Sequence, residues 1–313
     1  MTDPATSPSP SPQASGLART AQIVRFLAKY HSACVFSGLD VEASTADADL
    51  VIEDGRPEEF VNDLEALGPT FIKIGQALST RPDMVPAPYL KALERMQDDV
   101  APLPFADIKA AVEEALGVKL SQAFSEFEET SLGGASLAQV HRARLRDGRL
   151  VAVKVQRPGI TDGIRDDLDA LASLADKADR WTDAGRRMRF SGWVHEFRKT
   201  LLAELDYRVE AENLERFNQH FAGYPELFVP QPIWDYTRAK VLTMALVDGV
   251  KATDISGLRR TEQDLGPLAS AVMRGYLDQV FVHGDIHADP HPGNLLVTND
   301  NRIALLDLGM VAH

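Results

Sequence analysis

The sequence contains a single cysteine, Cys34, among its 313 residues. One thiol cannot form an internal disulfide, so a disulfide-stapled secreted scaffold is excluded and a reducing, cytosolic compartment is expected. Cys34 lies in an apolar helical pattern, which favours a buried structural thiol over a catalytic one.

The chain also lacks an excess of positive charge. Its 33 Lys and Arg residues are outnumbered by 46 Asp and Glu residues, which gives a formal net charge of −13. A broad nucleic-acid interface requires a basic face, so no nucleic-acid partner is expected. ATP is not excluded, because a phosphate site needs only a few local cations and a metal ion.

No apolar run approaches the roughly 18 residues of a membrane span, and no secretory signal is visible at the N-terminus. Residues 1–16 are rich in Pro and Ser and predict a disordered tail. Residues 17–36 carry an amphipathic helical stripe, which favours packing on the protein itself over lying on a membrane. We therefore expect a cytoplasmic protein, with peripheral membrane contact as the alternative.

Periodicity and turn residues divide the rest of the chain into helices and strands. Helices are predicted within 58–96 with a break at Gly68, within 103–127 ending near Gly117, within 162–221 with a break near 186–192, and over 267–282. Strands are predicted as a hairpin within 131–155 and as a pair at 233–236 and 240–244.

The chemistry concentrates in residues 283–294 and 303–309. Asp289 is followed five residues later by Asn294, and Asp307 comes at the end of an apolar strand, before Gly309. A protein-kinase catalytic loop has this arrangement, in which the first Asp orients the attacking group while the Asn and the second Asp hold Mg²⁺. The spacing predicts a phosphoryl-transfer site.

Two upstream features are typical of a nucleotide site. Residues 133–136 form a loop of small residues, Gly133, Gly134, Ala135 and Ser136, where phosphates could approach backbone N–H groups. Lys154 lies in an apolar strand and therefore needs an anionic partner, either a phosphate or a helical carboxylate.

Acidic residues within 204–210 are the candidate partners of Lys154. Glu204, Asp206 and Glu210 do not share one helical face, so spacing alone does not select among them. Further upstream, Lys73, Gly75 and Gln76 are unusual choices for a purely structural helix, although packing remains the simpler interpretation.

These motifs together resemble the UbiB (AarF-like, ADCK-type) atypical protein-kinase-like family. The resemblance extends over roughly residues 60–313 and rests on the segments 73–76, 133–143, 151–154, 204–210, 287–294 and 307–309. It implies an α+β, protein-kinase-like two-lobed fold. The implied parts are a helical N-terminal extension (17–127), an N-lobe with inserted helices (128–248) and a partial C-lobe (249–313). We expect this chain to be a shortened form that lacks the last helices of the C-lobe.

The resemblance also implies roles for individual residues. Lys154 would hold the phosphates of ATP and pair with Glu210, Asp289 would be the catalytic-loop acid, and Asn294 and Asp307 would coordinate Mg²⁺. Lys73 and Gln76 would belong to an extension that folds over the site, and Glu204 and Asp206 would anchor that extension. A site covered in this way favours ATP hydrolysis or a small lipid-like acceptor over protein substrates.

Two departures from the family pattern stand out. The loop 133–136 begins with Gly133 and Gly134 where the family usually has Ala, which predicts less restrained ATP handling. Asp285 replaces an aromatic residue just before the catalytic loop and puts a charge there.

The expected function is therefore an ATP-binding, Mg²⁺-dependent kinase or ATPase that supports ubiquinone biosynthesis or lipid homeostasis, with a lipid or quinone precursor as acceptor. A non-catalytic, nucleotide-gated scaffold (pseudokinase) for a lipid-pathway complex and a genuine protein kinase are the alternatives.

Overall fold

The computed structural model describes residues 16–30, 56–82, 85–96, 101–257, 264–288 and 291–312. Helices and strands mix along these residues, which confirms the predicted α+β class. Residues 1–15 of the predicted tail, Cys34 and Asp289 lie outside the described residues.

The elements follow one another in chain order. The α-helices are α1 (Gly16–Tyr30), α2 (Arg56–Leu67), α3 (Pro69–Ser79), α4 (Ala87–Leu93), α5 (Phe105–Leu116), α6 (Leu120–Ala123), α7 (Ile160–Trp181), α8 (Asp183–Met188), α9 (Phe190–Glu204), α10 (Tyr207–His220) and α11 (Gly266–Asp278). The strands are β1 (Phe124–Gly134), β2 (Ala138–Leu145), β3 (Leu150–Gln156), β4 (Leu227–Phe228), β5 (Val241–Ala245), β6 (Gly249–Lys251), β7 (Ile286–His287), β8 (Leu295–Thr298), β9 (Ile303–Leu305) and β10 (Val311–Ala312).

The chain divides into two compact units, of which the first comprises 1–98 and 159–198. Its described part is helical, and its core is built around aromatic side chains, with Phe60 centroids 5.0 Å from Tyr30 and 5.4 Å from Tyr89. Gly68 breaks the helical run between α2 and α3 with a φ of 96°, which confirms the predicted break. Gly75 is buried, and a Cβ there would overlap the side chain of Met96. Close packing therefore explains this glycine.

The second unit comprises 99–158 and 199–313 and contains the sheets. One four-stranded sheet has the strand order β1-β2-β3-β5 and is antiparallel throughout. A second sheet has the order β4-β9-β8-β6, in which only β4 and β9 run parallel, and β7 pairs with β10 in a two-stranded sheet. Side chains alternate along β3. Val151, Val153 and Val155 pack in the core cluster that includes α5, whereas Ala152 packs in the cluster that includes α10.

The division differs from the predicted boundary at residue 127. Residues 101–127 lie in the second unit, because Ile108 and Val112 of α5 are buried in the same core as β3. Residues 159–198, expected to be an insertion in the N-lobe, belong to the first unit.

Three local predictions need correction. The region 124–156 contains three strands, because β1 precedes the predicted hairpin. Residues 234–236 form a 3₁₀ turn, and the flanking Pro232 and Arg238 form isolated bridges to Met244 and Val241 of β5. The helical run before 221 is broken near Arg189 as predicted, but also at Leu205, where Asp206 caps α10.

Among the described residues, no helix combines the length and apolar character that a membrane crossing requires.

Candidate active site

Lys154 is the centre of the site, on β3 of the second unit. Its ammonium lies 2.9 Å from both carboxylate oxygens of Glu210 and 3.5 Å from Oδ2 of Asp307. Glu210 belongs to α10, onto which Ala152 and Lys154 project because they alternate with the valines of β3. Of the three acids left open by spacing, the structure thus pairs Glu210 with Lys154.

Two carboxylates, of Glu210 and Asp307, contact this ammonium, and a third, of Glu204, lies near Gly309. A Cβ added to Gly309 would lie 3.2 Å from Asp307 Oδ1, 3.7 Å from Glu204 Cγ and 3.9 Å from Glu210 Oε2, so the acids converge around this glycine. The side chain of Glu210 is 4% exposed, whereas that of Asp307 is 47% exposed. Glu210 and Asp307 therefore share the charge of Lys154, and Asp307 is the more exposed of the two.

The pKa values of Lys154 and Glu210 reflect the charges that surround them. Burial would lower the pKa of Lys154, but Asp307 and Glu210 outweigh it, so its pKa lies above the usual range. Burial raises the pKa of Glu210 to about 7; the Lys154 ammonium opposes this rise and the Asp307 carboxylate adds to it. The ammonium stays charged, while Glu210 ionises less readily than an ordinary carboxylate.

Tyr207 lies beneath the ammonium, with its ring centroid 5.3 Å from Lys154 Nζ. Its ring is buried, and its hydroxyl has no hydrogen-bond partner among the described residues. Burial is the main cause that raises the pKa of this phenol, so the hydroxyl remains a donor.

Asn294 and Asp307 occupy the same end of the β8–β9 hairpin. Leu295 pairs with Leu305, and the next backbone N–H, of Leu306, donates to the Asn294 carbonyl at 2.9 Å. Both side chains present oxygen atoms, the donors that Mg²⁺ prefers, and Asp307 is half exposed. This donor set fits a divalent cation. Asp289, the third predicted acid, is not among the described residues.

The small-residue loop connects β1 to β2. Gly133 and Gly134 end β1, and the Ala135 N–H donates to the Ala138 carbonyl at 2.8 Å. A Cβ at Gly133 would meet no atom within 4 Å, and the buried Ser136 hydroxyl has no described hydrogen-bond partner. Open space at a glycine beside an unsatisfied hydroxyl fits a loop that meets a ligand.

Two backbone carbonyls of the segment 307–309 are fixed by buried polar side chains that sequence reasoning missed. Asn213 of α10 donates through Nδ2 to the Leu308 carbonyl at 2.8 Å, and the His287 ring contacts the Asp307 carbonyl through Nε2. The signal for Asn213 was its position three residues after Glu210, which places both on one face of α10.

Other predicted site residues have local roles or lie elsewhere. Asp206 caps α10 by accepting from the Arg208 N–H at 3.1 Å and pairs with the Arg208 side chain at 2.6 Å. Lys73 and Gln76 lie on α3, in the first unit. The anchoring role of Glu204 and Asp206 and the covering role of Lys73 and Gln76 stay predictions.

The Lys154–Glu210 pair and the Asp-Leu-Gly turn resemble parts of a kinase nucleotide site. A family model described as the ABC1 atypical kinase-like domain matches residues 95–313. The chain belongs to this family. Membership confirms the predicted resemblance and the predicted kinase-like fold.

Named relatives agree with this assignment. A protein of Cellvibrio japonicus named "Probable protein kinase UbiB" is 39% identical over 246 residues, which cover 79% of this chain and 45% of the relative. "Protein ACTIVITY OF BC1 COMPLEX KINASE 8, chloroplastic", from Arabidopsis thaliana, is 42% identical over 253 residues, covering 78% of this chain and 33% of the relative. The chain therefore spans less than half the length of these two ABC1-family relatives.

A solved structure gives the same fold. The structure of Rv3197 from Mycobacterium tuberculosis, described as a complex with erythromycin, aligns with a TM-score of 0.55 at 30% identity. The alignment covers 82% of this chain and 64% of that one. At the level of the family, these similarities support a kinase of the UbiB type.

Proposed function

We propose that the chain is a Mg²⁺-dependent, ATP-binding atypical kinase or ATPase that supports ubiquinone biosynthesis or lipid homeostasis. The observation that carries the proposal is the Lys154 ammonium, held 2.9 Å from both Glu210 oxygens and 3.5 Å from Asp307. A lysine fixed by a helical glutamate beside an Asp-x-Gly turn is the part of a kinase that binds the α- and β-phosphates.

Each residue would then have one task in phosphoryl transfer. Backbone N–H groups of the Gly133–Ser136 loop and the Lys154 ammonium bind the phosphates, while Glu210 keeps that ammonium in place. Asn294 and Asp307 supply oxygen ligands to Mg²⁺, which would neutralise the phosphate charge when bound. Asp289 orients the hydroxyl or water that attacks.

The pathway assignment rests on relatives and on the N-terminal motif. Relatives of this chain bear the name UbiB, and Lys73 and Gln76 are the family residues expected to restrict access to the site. A lipid or a phenolic quinone precursor is therefore the proposed acceptor. The protein would act in the cytoplasm, with peripheral contact to a membrane.

Thermal shift with Mg·ATP tests the binding site. Wild-type protein should be stabilised by millimolar Mg·ATP, and Asp307→Asn should lose most of that stabilisation. No shift for the wild type, or an equal shift for Asp307→Asn, would contradict the site assignment.

Phosphate release, with and without lipid or phenolic quinone mimics, tests the reaction. We expect Mg-dependent release that Asp289→Asn abolishes. Binding without release would favour the scaffold, and label transfer to added proteins that Lys154→Ala abolishes would favour a protein kinase.

A further inference from the structure

One stripe of α10 carries polar side chains at regular spacing beyond Glu210. Asn213, Arg216 and His220 follow at intervals of three, three and four residues, so all of them lie on the face that carries Glu210. Polar groups repeated along one half-buried helical face need partners on the segment that faces them. The partners connect the two segments expected to do the chemistry.

The first partner is Asp285, which lies between Gly284 and β7. Its Oδ2 is 3.6 Å from Arg216 Nε and 3.5 Å from His220 Nε2. The Asp285 side chain is only 14% exposed, and the His220 ring stacks on His283 with centroids 3.9 Å apart. Asp285 is therefore a largely buried carboxylate that forms an ion pair with α10.

The second partner is the Asp-Leu-Gly turn. The Arg216 guanidinium donates to Asn213 Oδ1, and Asn213 donates in turn to the Leu308 carbonyl at 2.8 Å. Asn213 is buried, so both of its polar ends are used within the protein. Arg216 is the shared member, because it contacts both Asp285 and Asn213.

A continuous polar chain therefore connects Asp285 through Arg216 and Asn213 to Leu308. Asp285 precedes Asp289 by four residues, and Leu308 directly follows Asp307. We propose that Asp285 is a positioning residue, which uses this chain on α10 to hold residues 286–288 at a fixed distance from the metal-binding turn.

The neighbouring contacts explain why the position of this segment matters. The His287 N–H donates to Gln279 Oε1 at 2.9 Å, and the Ala288 N–H donates to the Met310 carbonyl at 3.0 Å. Two residues before His287, Asp285 adds an ion pair with Arg216 of α10. The chain that begins at Asp285 ends on the Leu308 carbonyl rather than on Lys154, so its loss should affect turnover more than nucleotide affinity.

The kinetic part of the test rests on the proposed function. Asp285→Asn removes the charge with almost no change in shape. We expect it to lower kcat for Mg·ATP hydrolysis by about tenfold, because a small misplacement of a reacting group is costly. KM and the Mg·ATP thermal shift should stay within about twofold.

Arg216→Met tests the same chain from the other side and keeps the proposal testable if Asp285→Asn does not fold. It should give a similar loss of kcat, and the double variant should lose no more than either single one, since both residues act in one chain. Asp300→Asn is the matched control: it breaks an exposed pair with Arg302 at 2.7 Å and should leave kcat unchanged.

Hydrogen–deuterium exchange separates this proposal from the proposed function. In Asp285→Asn the amides of His287 and Ala288 should exchange at least about fivefold faster, with the β2 and β3 amides unchanged. Unchanged exchange, or additive losses of kcat, would overturn the positioning role. If wild-type protein hydrolyses no ATP, the proposed function fails, and the exchange result alone decides the role of Asp285.

Discussion

Within the described residues, each unit contains a largely buried cation that pairs with a carboxylate, but the two cations differ in their partners. In the first unit, Arg19 donates to both oxygens of Asp167 at 2.6 and 2.9 Å, and the Thr70 hydroxyl donates to the same carboxylate at 2.7 Å. In the second unit, Lys154 shares its charge between Glu210 and Asp307.

The difference distinguishes a structural pair from a binding one. The acceptor oxygens of Asp167 are occupied by donors from α1 and α3, so the pair fastens helices of one core together. Around Lys154 the buried Glu210 and the half-exposed Asp307 share one ammonium, so the second pair keeps a carboxylate accessible to solvent. A buried ionic pair with an accessible carboxylate is the better candidate for a functional site.

Asp167→Ala should give the largest loss of stability. It removes the acceptor of a mostly buried guanidinium and a buried hydroxyl, so we expect the free energy of unfolding to fall by about 3 kcal/mol. Urea denaturation measures this. The control Asp169→Ala, on the same helix as Asp167, breaks an exposed pair with Arg198 of α9. It should cost less than about 0.5 kcal/mol. Equal losses would remove the contrast between buried and exposed pairs.

Lys154→Met should lose function rather than stability. At a nucleotide concentration of about 100 Kd, wild-type protein gains about 2.7 kcal/mol from binding, and the variant should lose this gain. Without the ammonium, the pKa of Glu210 rises further above its unfolded value, so the carboxyl is protonated at low pH. The variant should therefore be more stable at pH 6 than at pH 8, as thermal unfolding would show. The opposite trend would contradict a raised pKa of Glu210.

Gly75→Val tests whether the glycine between Lys73 and Gln76 serves packing. A side chain there would collide with Met96, so we expect a loss of about 2 kcal/mol in the free energy of unfolding. Gly192→Val, at a helical glycine with open space around its Cα, should cost less than about 1 kcal/mol. Similar values for both would argue against the packing explanation.

Ser136→Ala should have the smallest effect. It should raise the stability of the ligand-free protein and lower its affinity for Mg·ATP. Removing a buried, unsatisfied hydroxyl should raise ligand-free stability by up to about 1 kcal/mol, whereas Mg·ATP affinity should fall about fivefold if the hydroxyl meets the nucleotide. Thermal shift with and without Mg·ATP measures both. Ser125→Ala, at a hydroxyl that bonds to the backbone of β2, is the control with unchanged affinity.

Local patterns predicted much of the second unit. The apolar strand that carries Lys154, the hairpin within 131–155 and the helix that ends at Gly117 all appear as the sequence indicates. Their signals lie within a few residues, as glycine turns and strand alternation do. The family resemblance, rather than periodicity, indicated Glu210 as the partner of Lys154.

What the sequence did not predict depends on contacts between distant segments. The grouping of α5 with the sheet and of α7 with the first unit follows from packing across many residues. The break at Leu205 was missed because the flanking residues are good helix formers, although Asp206 is a typical N-cap. Asn213 was likewise missed, because its partner, the Leu308 carbonyl, is 95 residues away in sequence.

The polar stripe on α10 also limits how this helix can vary. Each residue of an α-helix advances the side-chain direction by about 100°. One residue inserted after Ala211 would leave Glu210 beside Lys154 but rotate Asn213, Arg216 and His220 away from their partners. Deletions would have the same effect, so these contacts fix the length of α10 between Glu210 and His220.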